Sequence, residues 1–462
     1  MTATTTGADK STDRRGGVRE MMAIALPMVV SYACDTVMMF SDRLLLSKLG
    51  PDFMNAAVGG GVTAFMMASF GFGLFGYGTA LVAQYLGAGR KEHCAVVVTQ
   101  ALIAAACLYP IVLLCRPWVG GLFGTLGVPA TQIEAQLAYF DIMTYGAILI
   151  FVRHSLSSFF SGIGRTRIVM GASVAAMLVN IAASYILIYG KLGLPALGVR
   201  GAAYGSLIAS MVGILILAAA YFAPRNREEF SIGKSFAFDP EVFKKLLRFG
   251  APSGAEMLFT LLGANAFVLA FQSLGPVAAT ASSIMMSWDM TAYIPLMGME
   301  VGVTSLVGRY MGAGTPDTAH RSVMSGLKVG CVYAAVLLVL FGLCAAPMAD
   351  LFRPGSGMDA VFLEARPMTV TMLRMISVYM FSIVLVIVFV GALRGAGDTL
   401  WAMCYHVSLH WLAAATLYAG TRFLGLGAVQ AWGLVIVVFV LFSGLAWLRY
   451  RSGAWRSIKV VS

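Results

Sequence analysis

LVAQYLGAG (residues 81–89) and LVGRYMGAG (306–314) are nearly the same segment written twice, 225 residues apart. At the same offset Pro27 meets Pro252, Leu49-Gly50-Pro51 meets Leu274-Gly275-Pro276, and Leu102 meets Leu327. A register that holds without gaps over about 75 residues marks an internal duplication. Further on, GIGRT (162–166) resembles GAGDT (395–399) at an offset of 233. Around and between these segments run apolar stretches of about 20 residues or more, each long enough to cross a bilayer as a helix.

The composition says what solvent those stretches require. Of 462 residues, 59% are hydrophobic and 11% charged, whereas a soluble domain carries roughly 25% charged residues. So apolar a chain uses lipid as solvent. The net charge of +11 raises the question of nucleic acid, but no basic region alternates with aromatics in the manner of a strand-binding groove. Basic loops on one side of a membrane account for the charge, and no nucleic-acid partner is expected. The seven cysteines are scattered without a CxxC, which implies neither a disulfide framework nor a zinc site. The five histidines show no metal spacing with a carboxylate, and the GAG loops lack the Lys-Ser/Thr of a phosphate loop. No nucleophile–base pair stands out, so neither an enzyme nor a bound cofactor is expected.

Twelve transmembrane helices are predicted, at 20–48, 53–86, 92–116, 131–161, 165–190, 198–223, 241–273, 276–311, 317–347, 361–393, 397–421 and 424–449. The first follows a polar segment with Arg14, Arg15 and Arg19 and reads as an uncleaved span rather than a signal peptide. With the N-terminus inside, 21 Lys and Arg fall in cytoplasmic segments against 7 outside, which places both termini in the cytoplasm by the positive-inside rule. The polar stretch 224–248 divides the chain near its middle. The predicted organisation is a cytoplasmic tail at 1–18, a six-helix bundle at 19–223, a cytoplasmic linker at 224–240, a second bundle at 241–450 and a tail at 451–462. Each half has an even number of helices, so the repeats run parallel, related by an axis along the membrane normal. Two such bundles around a central cleft suit alternating access, and a monomer suffices for it.

Three stretches carry a family resemblance: the opening helix ALPMVVSYACDTVMMFSDRLLLSKLG (25–50), the paired LGAG loops, and FFSGIGRTRIVMGASVAAMLVNIAASYILIYGKLGLPALGVRGAAYGS (159–206). Together with the repeat they make the chain similar to the multidrug and toxic compound extrusion (MATE) family from about residue 19 to 450. The resemblance implies an all-α inner-membrane transporter that exports organic, often cationic, compounds in exchange for entering H⁺ or Na⁺.

Acidic residues deep in a membrane helix cost roughly 2.5–3.5 kcal/mol on insertion scales and usually mark ion or substrate pathways. Asp42, 15 residues after Pro27, matches the family's first-helix acid, where a carboxylate binds H⁺ or Na⁺; the alternative is a solvated interfacial group beside Arg43. Asp35, two turns earlier on the same face, stands where the family commonly has Gln. It has three readings: a second proton site, a direct contact for cations, or a neutral hydrogen-bonded acid. Asn180 matches the family's fifth-helix asparagine. Four residues on, Ser184 replaces the acid or amide of many members, which weakens a Na⁺ site at Asp42 and Asn180 and favours H⁺ as coupling ion. In the second half Glu256 lies one turn before Thr260, the position of a seventh-helix acid in one branch of the family, and Asp289 and Glu300 fall within the eighth helix. No acid matches that branch's tenth-helix position; Arg374 stands mid-helix instead. Asp141 is a further candidate. The rival reading is a flippase for a lipid-linked precursor, which would need clustered cations for phosphate; Arg153, Lys328 and Arg374 are dispersed. The 28 methionines read chiefly as core or lipid-facing packing.

Overall fold

A computed structural model describes residues 15–125, 129–353 and 359–461. The remainder of the predicted N-terminal tail, Lys10 and Arg14 included, lies outside the described residues, which hold helices and no strand. The helices are α1 (Val18–Ser47), α2 (Pro51–Gly76), α3 (Gly78–Gly87), α4 (Lys91–Thr125), α5 (Ala130–Tyr145), α6 (Ala147–Gly162), α7 (Thr166–Tyr189), α8 (Val199–Tyr221), the short α9 (Pro224–Glu229), α10 (Pro240–Gln272), α11 (Pro276–Gly312), α12 (Pro316–Asp350), α13 (Asp359–Ala396), α14 (Thr399–Arg422) and α15 (Ala428–Arg451).

Ten spans among the described residues are long and apolar enough to cross a membrane, α2 and α3 counting as one. The pair α5–α6, bent by 44°, makes an eleventh. The helix α14 has the length but carries His406, His410 and Arg422; with it the spans number twelve, as the sequence predicts. The predicted span 131–161 is therefore not one straight helix. At its break the Tyr145 carbonyl accepts a hydrogen bond from the Tyr109 hydroxyl at 2.8 Å, outside the helix ladder. Leu207 also packs so closely on Gly146 that a Cβ there would lie 2.1 Å from its Cδ2. Both act as helix-bending insertions do.

The duplicated Leu-Gly-Pro has a stereochemical reason. Gly50 and Gly275 turn the chain at φ 137° and 98°, where L side chains are strained, and the prolines that follow start α2 and α11. A proline is tolerated in a helix's first turn because its missing N–H has no intrahelical partner there.

By packing, the chain forms two compact units, residues 30–258 and residues 15–29 with 259–460. Thus α1 divides at 29/30 and α10 at 258/259. In the second unit α13 is the centre: Leu373, Ile376, Val384, Ile387 and Val390 are all buried, as befits the helix of highest mean hydropathy. The start of α1 packs there on Gly298 of α11, where a Cβ would meet Val29 Cγ2 at 2.5 Å and the Val29 nitrogen at 2.6 Å. In the first unit the start of α10 packs on Gly73 of α2, where a Cβ would meet the Ser253 carbonyl oxygen at 2.2 Å. Gly73 and Gly298 are 225 residues apart, so the duplication extends to these two helix crossings.

Candidate ion-coupling site

Three helices of the first unit converge on Asp42. α7 and α8 pack closely because glycines remove side-chain bulk: a Cβ at Gly205 would lie 2.4 Å from Ser184 Oγ, and one at Gly201 2.6 Å from the Leu187 carbonyl carbon. This four-residue spacing of small residues is a membrane packing motif. Near the end of α7, the Tyr189 hydroxyl donates to the Leu45 carbonyl at 2.7 Å and ties α7 to α1.

Asp42, 7% exposed, lies between them. Ser184 Oγ donates to its Oδ1 at 2.7 Å and Ser206 Oγ to its Oδ2 at 3.0 Å. The fully buried Asn180 donates from Nδ2 to Ser206 Oγ at 3.3 Å and to Ser184 Oγ at 3.5 Å. Its Oδ1 has no hydrogen-bond partner among the described residues. No Lys or Arg pairs with Asp42 among them either. Arg43, its chain neighbour, is exposed. A buried carboxylate supported only by neutral groups, the two hydroxyls and the neighbouring Asn180 amide, is electrostatically incomplete, since a buried charge is ordinarily paired. The donor set is all hard oxygen, which suits a proton or a small alkali cation and not a soft metal. No group of three His, Cys, Asp or Glu that would hold a metal ion occurs among the described residues.

The other acids each have a local setting. Asp35 forms an ion pair with Arg153 Nη2 at 3.2 Å, and the same nitrogen donates to Ser173 Oγ at 3.2 Å. Asp141 takes two hydrogen bonds from Arg116, one of them from Nε at 2.8 Å. Asp289 accepts from the Tyr379 hydroxyl at 2.5 Å, and Glu300 pairs with Arg394. Glu256 is buried on α10, three residues after the crossing at Ser253. The fold thus gathers Asp42, Asn180 and Ser184 at one point and leaves Asp35, Asp141, Asp289 and Glu300 with partners of their own. Ser206 belongs to the gathered set although the sequence analysis did not select it.

A duplicated, all-helical chain that spans a membrane many times and buries an unpaired acid defines a multi-pass membrane transporter. The MatE family model matches it twice, over residues 27–186 and 252–418, and the two matches begin at the offset of the duplication. The chain belongs to the MatE family, whose members are transporters and not enzymes. It is 27% identical over 447 residues to a probable multidrug resistance protein NorM of Bradyrhizobium diazoefficiens, covering 95% of this chain and 94% of that one. It is 25% identical to the multidrug resistance protein MdtK of Yersinia pseudotuberculosis over 85% of each. Among solved structures, a MATE protein in complex with MaL6 superposes with a TM-score of 0.87 at 21% identity, over 97% of this chain and 98% of that one. A multidrug resistance MATE family transporter of the MOP superfamily in an outward-facing conformation superposes at 0.86 and 22%, over the same shares. These establish the twelve-helix, two-bundle fold.

Proposed function

We propose that this transporter exports organic compounds, cationic or amphipathic, in antiport with H⁺, by alternating access of its two halves (19–223 and 241–450) in the inner membrane with both termini cytoplasmic. The observation that carries the coupling is Asp42: buried, bonded by two hydroxyls and lacking a cationic partner among the described residues. An entering proton supplies the missing countercharge. Na⁺ is the alternative ion, and Ser184 in place of a second carboxylate or amide argues for H⁺. The names of the NorM and MdtK relatives support efflux of drugs.

In the proposed cycle the ionised site accompanies substrate binding from the cytoplasm. A proton from outside then neutralises Asp42, and the change in charge favours the state that releases substrate. Asp42→Asn preserves shape and removes the titration. Efflux of ethidium from reconstituted vesicles, driven separately by a pH gradient and by a Na⁺ gradient, tests this. ΔpH-driven efflux in the wild type, abolished in Asp42→Asn, is expected. Intact ΔpH-driven efflux in the variant sinks the assignment of Asp42, and efflux driven by Na⁺ alone sinks the choice of ion.

A further inference from the structure

The last span ends in a turn that lines a cavity. α15 stops at Arg451, and Gly453, at φ 72°, reverses the chain in the left-handed region open to glycine. The short 3₁₀ turn that follows, Ala454–Ser457, carries Trp455 back against the second unit, where it is 1% exposed. Its indole Nε1 donates to the Tyr450 carbonyl at 3.0 Å. The Tyr450 ring stacks on Trp455 at 5.2 Å and on Phe389 at 4.9 Å, and its hydroxyl bonds His320 Nδ1 at 2.7 Å. Trp455 Nε1 and the Tyr450 hydroxyl thus both have hydrogen-bond partners within this aromatic wall.

Against the wall lies a cavity of about 570 Å³, within the size range of small-molecule sites. One flank is apolar: Met324, Leu327 and Leu385. The other is cationic. Arg451 lies over the Trp447 ring at 5.0 Å with no acidic partner among the described residues. Arg456 lies over Trp455 at 5.4 Å and pairs with Asp317 at 3.1 Å, an exposed pair of little strength. An apolar slot beside two guanidinium groups matches an amphiphile with an anionic head, because Arg binds phosphate in a bidentate fork.

We propose that this cavity is a binding site for an anionic glycerophospholipid of the leaflet level with the C-terminal tail. Arg451 and Arg456 take the phosphodiester, and one acyl chain lies along Met324, Leu327 and Leu385. The C-terminal tail thereby becomes part of a lipid site that is separate from the Asp42 cluster in the other unit.

The test uses the full chain reconstituted in phosphatidylcholine vesicles containing brominated phosphatidylglycerol, which quenches nearby tryptophan fluorescence. Saturable quenching well above that from brominated phosphatidylcholine is expected, with most of the excess lost in Trp447→Phe. Arg451→Gln/Arg456→Gln is expected to weaken the preference for phosphatidylglycerol about thirtyfold, the product of a roughly fivefold contribution from each juxtamembrane cation. Arg451→Lys/Arg456→Lys retains the charge but not the fork, and its preference is expected to fall between the wild type and the Gln double variant, which separates lost binding from misfolding. Equal quenching by both lipids, or a preference unchanged in the Gln double variant, overturns the proposal. So does full competition by inorganic phosphate, which would make the site one for a soluble anion.

Discussion

The two helix crossings at Gly73 and Gly298 permit a prediction with a sign change built into it. An alanine Cβ at Gly73 would sit 2.2 Å from the Ser253 carbonyl oxygen, 2.7 Å from its carbon and 2.8 Å from Gly254 Cα. Carbon and oxygen need roughly 3.3 Å, so α2 and α10 must separate by about 1 Å, and backbone atoms cannot rotate aside as a side chain can. Overpacking of this kind costs about 1–3 kcal/mol. Gly171, in the second turn of α7, has open space where its Cβ would go. The same substitution there gains up to about 1 kcal/mol from helix propensity. Gly73→Ala should therefore lower the apparent melting temperature in detergent, read by size-exclusion after heating, and Gly171→Ala should hold or raise it. Gly298→Ala, at the repeat-related crossing, should behave as Gly73→Ala does. If Gly73→Ala proves as stable as Gly171→Ala, the close approach of α10 to α2 is not a packed contact and the reasoning fails.

Other predictions concern charges. Ser184→Asp places a carboxylate within hydrogen-bond reach of Asp42 and should raise Na⁺-driven ethidium efflux several-fold relative to ΔpH-driven efflux; an unchanged ratio would show that Ser184 does not set ion choice. A double-mutant cycle on Asp35→Asn and Arg153→Gln, read by thermal stability, should yield a coupling of about 1 kcal/mol; additive effects would mean the 3.2 Å pair is energetically idle. In the linker, Glu229 on α9 accepts from Arg165 at 2.6 Å and Lys91 at 3.2 Å. The Arg165 guanidinium above all holds its carboxyl below the usual carboxylate range. A depressed carboxyl contributes stability at pH above its unfolded value and loses that contribution as pH falls through the folded one. Glu229→Gln should therefore reduce stability at neutral pH and narrow its gap from the wild type in acid; a constant gap across pH refutes the linkage.

What could be read from the sequence was what repeats or what lies close along the chain. Pro27 against Pro252 and the paired Leu-Gly-Pro turns disclosed the duplication, because turn stereochemistry is local. Asn180 and Ser184 were legible because the family resemblance marks both positions, four residues apart on one helix. Ser206 was not, since only the packing of Gly201 and Gly205 on α7 brings it to Asp42, and nothing local reports that. Arg153 was visible as a charge inside a helix, but its partner Asp35 is 118 residues away, and composition does not rank such pairs. The bend at Gly146 escaped for the same reason: Tyr109 and Leu207, which stabilise it, come from other helices.

The division of α1 at 29/30 has a consequence for biogenesis. Residues 15–29 pack with a unit whose remaining residues begin at 259. When the first span leaves the ribosome, the partner for its opening half does not yet exist. Gly298, on which Val29 rests, appears about 270 residues later, on the order of tens of seconds at cellular synthesis rates. During that interval the apolar face of this half-helix has to be shielded by lipid or by the insertion machinery. The first six spans expressed alone would lack both that partner and the opening half of α10, so the two halves of this duplicated chain mature together, however complete each looks when its helices are counted.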